Sequence, residues 1–258
     1  MANTTLKSKN RAKSTTVAIK QAMSLSGLFF VLFLIIHSYG NLKMFYGLEM
    51  YNGYALHLRT FLMPILPYEG LLWILRVVLI VLIVVHVVAA LYLWLRAGKA
   101  RGSRYVVKSN LATAYAARTV RWGGIILGAF IVFHLAHFTM KYIKPGADVG
   151  AYDSHTIYLN DAGHVVDQAN AVLAVPEGNA YAMMITTFSE WYMVLLYGVA
   201  MLALCLHIAH GVWSGLQTMG WLRRSTMPWV TVISGLVGLG VFALFMLPPF
   251  GILLGLIQ

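Results

Sequence analysis

Residues 70–96, GLLWILRVVLIVLIVVHVVAALYLWLR, decide the fold. Between Glu69 and Arg96 this run holds a single formal charge, Arg76. A helix rises about 1.5 Å per residue, so about 20 mostly apolar residues cross a hydrocarbon core about 30 Å thick. Four further stretches meet the same test: Lys20 to Lys43, Arg121 to Lys141, Glu190 to Arg223, and the run after Arg224, which carries Pro248 and Pro249 near its end. Backbone groups cannot stay unpaired in hydrocarbon, and none of these runs shows the strict alternation of a barrel strand, so they are expected to be helices. The expected fold is an all-α integral membrane protein, a five-helix transmembrane bundle forming one membrane domain over 1–258. Its helices are expected at about 21–43, 69–97, 120–143, 187–218 and 227–256, with an outer loop at about 144–186.

Composition agrees with that reading. Of 258 residues, 60% are hydrophobic and 10% charged, against about 45–50% and about 25% in soluble domains. Too little charge remains to coat a water-facing globule, which argues against a soluble enzyme. The single cysteine, Cys205, excludes an intramolecular disulfide and a multi-cysteine metal site, and reads as a small apolar packing residue. No small-residue cleavage site precedes a long polar region, so the first span is expected to be an uncleaved helix rather than a signal peptide.

The net charge of +11 would point to nucleic acid in a soluble chain, but here its placement makes it a topology signal. Lys7, Lys9, Arg11, Lys13 and Lys20 precede the first span. Arg96, Lys99, Arg101, Arg104, Lys108, Arg118 and Arg121 join the second to the third, and Arg223 and Arg224 the fourth to the fifth. The opposite side has Lys43, Arg59, Lys141 and Lys144, together with all eight acids: Glu49, Glu69, Asp148, Asp153, Asp161, Asp167, Glu177 and Glu190. By the positive-inside bias the N-terminus is expected in the cytoplasm and the C-terminus outside. The basic face is then free to dock acidic lipid or a soluble partner. The outer loop is polar, too short for a domain, and placed to cap the bundle. Small residues such as Gly235, Gly238 and Gly240 within a span read as helix-packing positions.

Six of the nine histidines lie within spans: His37, His86, His134, His137, His207 and His210. One such residue is most simply an interhelical hydrogen bond. Six, spread over four helices with none on the fifth, point to a function. Neutral imidazole is the commonest metal ligand, and two from facing helices can clamp a haem iron inside a bundle. His86 lies 17 residues past Glu69 and His207 17 past Glu190, so both sit roughly 25 Å below the outer boundary. His37, before Lys43, and His134, before Lys141, lie roughly 10 Å below it. Two matched layers, roughly 15 Å apart, suit two bis-histidine haems. His137 and His210 each follow a neighbour by three residues, on nearly the same face, and cannot take the opposite axial position of one haem. They are expected to contact propionates or quinone, or to pack at a ring edge.

Several of these segments resemble the di-haem cytochrome b membrane anchor of succinate dehydrogenases and fumarate reductases, the b558-type succinate:quinone oxidoreductase family. They are Ser24-Leu-Ser-Gly-Leu-Phe, His37-Ser-Tyr-Gly-Asn-Leu, His86 in the second span, Arg121-Trp-Gly-Gly with Phe133-His-Leu-Ala-His-Phe-Thr139, and His207-Ile-Ala-His-Gly-Val-Trp-Ser-Gly-Leu-Gln-Thr-Met-Gly220. Together they cover four of the five spans, in the family's order. The resemblance implies that His37 and His134 hold an outer b haem and His86 and His207 an inner one. It implies that Ser24 touches an inner propionate, with helix packing as the alternative.

The resemblance also implies an FAD flavoprotein and an iron–sulfur subunit docked on the cytoplasmic face of a bacterial inner membrane, because this chain has neither the cysteines nor the nucleotide motifs for those centres. Electrons from succinate would then reach membrane quinone, usually menaquinone in such anchors, by way of the two haems. The reverse direction would make a fumarate reductase. Dicarboxylate chemistry belongs to the partner chain. Quinone reduction needs protons, and Glu49, His57, Arg59, Glu69 and Glu190 are the outer-side candidates, with solvated loop charges as the alternative. Arg76 either snorkels outward or pairs with an outer propionate. Two rival readings stay open: a di-haem anchor of another quinone-linked dehydrogenase, and a haem-free transporter whose histidines relay protons.

Overall fold

The computed structural model describes residues 5–99 and 111–258, without the side chains of 5–15 and 111–119. Arg101, Arg104 and Lys108 therefore lie outside the described residues, as do the side chains of Lys7, Lys9, Arg11, Lys13 and Arg118. The chain is mostly helical: α1 (Thr5–Leu42), α2 (Leu48–Thr60), α3 (Gly70–Lys99), α4 (Leu111–His134), α5 (Ala180–Phe188), α6 (Trp191–Thr218) and α7 (Met227–Leu253), with two strands, β1 (Ser154–Leu159) and β2 (Leu173–Gly178). Five helical stretches are long and apolar enough to cross a membrane: Thr16–Tyr46, Gly70–Lys99, Val120–Thr139, Trp191–Thr218 and Met227–Leu253. The protein is thus a multi-pass, helical membrane protein. Its valine-rich runs would favour strands in water; in lipid only the helix satisfies every backbone group within one segment.

Lateral packing is uneven. α1 packs against α3, α6 and α7, α4 packs against α6, and α6 against α7. The α6–α7 contact is closest at Gly238, where a Cβ would lie 2.6 Å from the carbonyl oxygen of Cys205. Gly235 and Gly240 face open space, so one glycine of that stretch serves the packing expected of all three. In α3 only Ala89 is buried, and its long apolar side chains point outward as lipid-facing ones do.

The residues between the spans depart most from expectation. The connection between α1 and α3 contains α2. The segment expected as a loop over 144–186 is a folded cap: a 3-10 turn at Val149–Tyr152, the antiparallel β1–β2 pair in register from Ser154↔Gly178 to Leu159↔Leu173, and α5. Its polar composition hides a short buried list, in which Tyr152, Leu159, Val175, Tyr181, Met183 and Phe188 point inward. Phe188, Tyr181 and Met184 join Met44, Met193, Tyr197 and Met246 in one core between cap and bundle.

Span ends move accordingly. α4 does not continue helically to 143; it closes in a π turn, Leu135–Thr139, and the chain reverses through Lys141 at φ 56°. The fourth span begins at Trp191 rather than near 187, because Glu190 is extended (φ −89°, ψ 113°) and separates it from α5.

Candidate functional site

The spans carry their histidines in two facing pairs. At the level nearer the cap, His37 of α1 meets His134 of α4, with ring centroids 6.1 Å apart and planes at 83°. At the level nearer the basic end, His86 of α3 meets His207 of α6 at 6.2 Å and 62°. These are the couples that helical depth matched. Their helices run diagonally: neither α1 with α4 nor α3 with α6 is among the closely packed pairs, so the imidazoles bridge the interior that the backbones leave apart.

Each imidazole is held differently. Nδ1 of His86 lies 3.0 Å from the Met23 carbonyl oxygen and 3.2 Å from Ser26 Oγ. A carbonyl only accepts, so Nδ1 carries the proton and Nε2 keeps its lone pair. Ser26 donates its own proton to the carbonyls of Ala22 and Met23. Gly27 lets α1 come this close, since a Cβ there would lie 3.1 Å from the His86 ring. His207 approaches Gly124, and its Nδ1 is buried without a hydrogen bond. His37 is stacked on Phe33 (5.4 Å, 11°) and flanked by Phe245 at 5.6 Å. Nδ1 of His134 faces the Tyr197 hydroxyl at 3.4 Å.

His137 is committed elsewhere. It is fully buried, with Nδ1 2.9 Å from Tyr197 Oη and Nε2 3.2 and 3.1 Å from Tyr152 Oη and Thr187 Oγ1. Both nitrogens are occupied by protein hydroxyls, which leaves none for a propionate or quinone. His210 lies edge-on to Trp213 at 5.6 Å, and the indole Nε1 of Trp213 is buried without a partner. Ser24 packs against Gly215 of α6, whereas the serine that touches a histidine is Ser26. Successive helical residues turn by about 100°, so positions two apart point to nearly opposite sides. Sequence reading missed Ser26, Tyr197, Tyr152 and Thr187, because their partners are remote in the chain.

The candidate proton groups do not form one site. Glu49 and His57, one face of α2, line an open cavity of about 270 Å³ with Lys43 and Tyr54. Glu69 instead sits between two arginines, with Arg59 Nε 3.3 Å from one oxygen and Arg76 Nη1 2.9 Å from the other. Arg76 thus reaches towards the cap and lies over the Trp73 ring at 4.9 Å. Glu69 has φ 58°, a backbone region costly for an L-residue; the two arginines hold it there. Glu177 of β2 joins this group at 3.8 Å from Arg59. Burial pushes its carboxyl above the usual range, against the pull of Arg59 and His155. Glu190 stands apart, at the N-terminus of α6.

The two imidazole pairs have the chemistry to hold iron. Two imidazoles sharing one metal ion from opposite sides, with a metal–nitrogen bond of about 2.0–2.1 Å and about 1.1 Å from nitrogen to ring centre, would have centroids about 6.3 Å apart. Both observed separations meet that distance. The lone pair left on His86 Nε2, with the other nitrogen anchored by a backbone carbonyl, would suit a metal ligand, and the unpartnered Trp213 Nε1 could donate to a carboxylate. Among the described residues no group of three or more His, Cys, Asp or Glu side chains is placed to hold a metal ion. No protein-family model, no curated protein and no solved structure matches the chain.

Proposed function

We propose that the chain is the membrane-anchor cytochrome b subunit of a succinate:quinone oxidoreductase, with His37 and His134 holding one b haem and His86 and His207 a second. The observation that carries this reading is the pair of facing imidazole couples at two depths, spaced for one iron each. The segment resemblance over four spans supports the family; the depth match supports the pairing independently.

Bound haems supply one-electron carriage between a soluble partner's iron–sulfur centre and membrane quinone. The chain's own residues do the rest. The Met23 carbonyl and Ser26 orient His86, Phe33 and Phe245 hold the His37 ring, and Trp213, against His210, carries a buried indole donor without a partner. In this reading the basic end faces the cytoplasm of a bacterium and receives the iron–sulfur and flavoprotein subunits. Quinone, menaquinone by family habit, is handled at the cap end, where Glu49 and His57 share a cavity.

The test is haem per polypeptide, by pyridine haemochrome, on the detergent-solubilised full chain with its copurifying subunits. Two b haems are expected, falling to one in each of His37→Ala, His86→Ala, His134→Ala and His207→Ala. A folded, colourless protein overturns the haem reading. Haems reduced by formate or hydrogen but not by succinate overturn the family while keeping the haems.

A further inference from the structure

The hydrogen bonds beneath the cap have a direction. Thr187 Oγ1 has the Met183 carbonyl oxygen within donating distance at 2.6 Å, and Tyr152 Oη has the Pro145 carbonyl oxygen at 3.0 Å. The two hydroxyls also touch each other at 2.8 Å. The contact itself takes one proton, so either Tyr152 donates to Thr187 while Thr187 donates to Met183, or Thr187 donates to Tyr152 while Tyr152 donates to Pro145; in both arrangements the two hydroxyl protons lie between oxygens. Both oxygens then face Nε2 of His137 as acceptors, so Nε2 of His137 carries its proton. Nδ1 of the same neutral ring must accept. The Tyr197 hydroxyl, 2.9 Å away, donates to it. That leaves the Tyr197 oxygen as an acceptor towards Nδ1 of His134 at 3.4 Å. His134 therefore bears its proton on Nδ1 and presents an unprotonated Nε2 on the other side of its ring.

We propose that Tyr197 is the positioning residue for His134: its hydroxyl, given a fixed direction by His137, Tyr152 and Thr187, sets the tautomer and plane of the His134 imidazole. This rests on the reading of His134 as a haem ligand. Tyr197 is rigid enough for the task. Phe130 and Phe188 meet its ring edge-to-face, each at 5.0 Å, from α4 and α5. His37 has a stacked phenylalanine and, among the described residues, no hydroxyl bonded to its ring, so the control at this level is one-sided. Because Tyr152 belongs to the cap, the same chain of bonds ties cap docking to the ligand's orientation.

An acceptor on the far nitrogen raises the basicity of an imidazole ligand and fixes its ring, and losing such a partner typically costs about 10–100-fold in metal affinity. A greater basicity favours oxidised iron. Tyr197→Phe keeps the ring contacts and removes the hydroxyl. In the purified complex, a redox titration should show one haem midpoint raised and the other unchanged. The low-temperature ferric EPR signal of the same haem should move as its imidazole leaves the 83° setting, and haem retention there should weaken by about 10–100-fold.

Thr187→Val, which leaves Tyr197 in place and removes one acceptor from His137 Nε2, should move the same midpoint in the same direction by less. It decides the matter should Tyr197→Phe not assemble. Two haems with both midpoints and both EPR signals unchanged in these variants overturn the inference. A wild-type complex without haem overturns the functional reading beneath it, and the two failures are told apart by haem content alone.

Discussion

A histidine in a membrane span is costly unless its nitrogens have a use, and the use differs sharply between His137 and its neighbours. His137 is fully buried and spends both nitrogens on hydroxyls from α6, the cap and α5. It is a structural crosslink. Replacing it with leucine keeps most of the volume but strips Tyr197 of its acceptor and leaves two cap hydroxyls short of a donor. Each orphaned polar group costs about 1–3 kcal/mol, so His137→Leu should destabilise the protein by about 2–4 kcal/mol. Tyr152→Phe, which leaves Thr187 to serve Nε2, should cost about 1 kcal/mol. Thermal unfolding in detergent ranks the three proteins. A His137→Leu variant that melts with the wild type would mean that the network is solvated and carries no stability. Spacing alone could exclude His137 from sharing an iron with His134, three residues away, because both point from one face. Its actual partners were illegible, since Tyr152 lies in a segment whose fold no periodicity announced and Thr187, at the edge of an expected span, belongs instead to the separate short helix α5.

Elements that were legible in sequence are those whose physics is one-dimensional. A helix in lipid converts residue number into depth, so the 17-residue offsets after Glu69 and Glu190 place His86 and His207 on one level without any knowledge of which helices touch. The cap follows no such rule. β1 and β2 are six residues each, and α5 nine; their order comes from tertiary burial of a few side chains rather than from local pattern. Helix packing lies between these cases. Small residues advertise a close approach but not which of them makes it. In α7 it is Gly238, whose Cβ would press 2.6 Å from a backbone oxygen of α6, whereas Gly240 meets nothing within 4 Å. A backbone atom cannot swing aside as a side chain does. Gly238→Ala should therefore push α6 and α7 apart and cost about 1–3 kcal/mol. Gly240→Ala should be neutral or raise stability by up to about 1 kcal/mol through helix propensity. Melting temperatures of the two variants, measured side by side, check the contrast. Equal values would mean that the α6–α7 contact is looser than the geometry places it.

On the scale of the whole molecule, charge is sorted along the bundle axis. The cap end holds all eight acids and five bases (Lys43, Arg59, Arg76, Lys141 and Lys144), and the other fourteen bases lie, in sequence, before the first span, between the second and third, and between the fourth and fifth. At the cap end the bases are largely engaged: Arg59 and Arg76 share Glu69, Lys144 pairs with Asp153 and Lys141 donates to the Tyr152 carbonyl. Among the described residues Lys20, Arg96, Lys99, Arg121, Arg223 and Arg224 have no carboxylate at their end to pair with. Insertion reads the Lys and Arg of short loops near span ends, not net charge. The expected result is that the unpaired end stays in the cytoplasm and the cap is exported. A phosphatase fused after Asp161 should be active, and one fused within residues 101–108 silent, with a fluorescent protein giving the reverse pattern. The bias is also redundant. Neutralising Arg223 and Arg224 removes two of the fourteen bases and should leave both reporters unchanged, whereas inverting the chain should require loss of the bases around 96–121 as well. Phosphatase activity in the 101–108 fusion would put the basic end outside the cytoplasm, and with it any surface for a soluble electron donor.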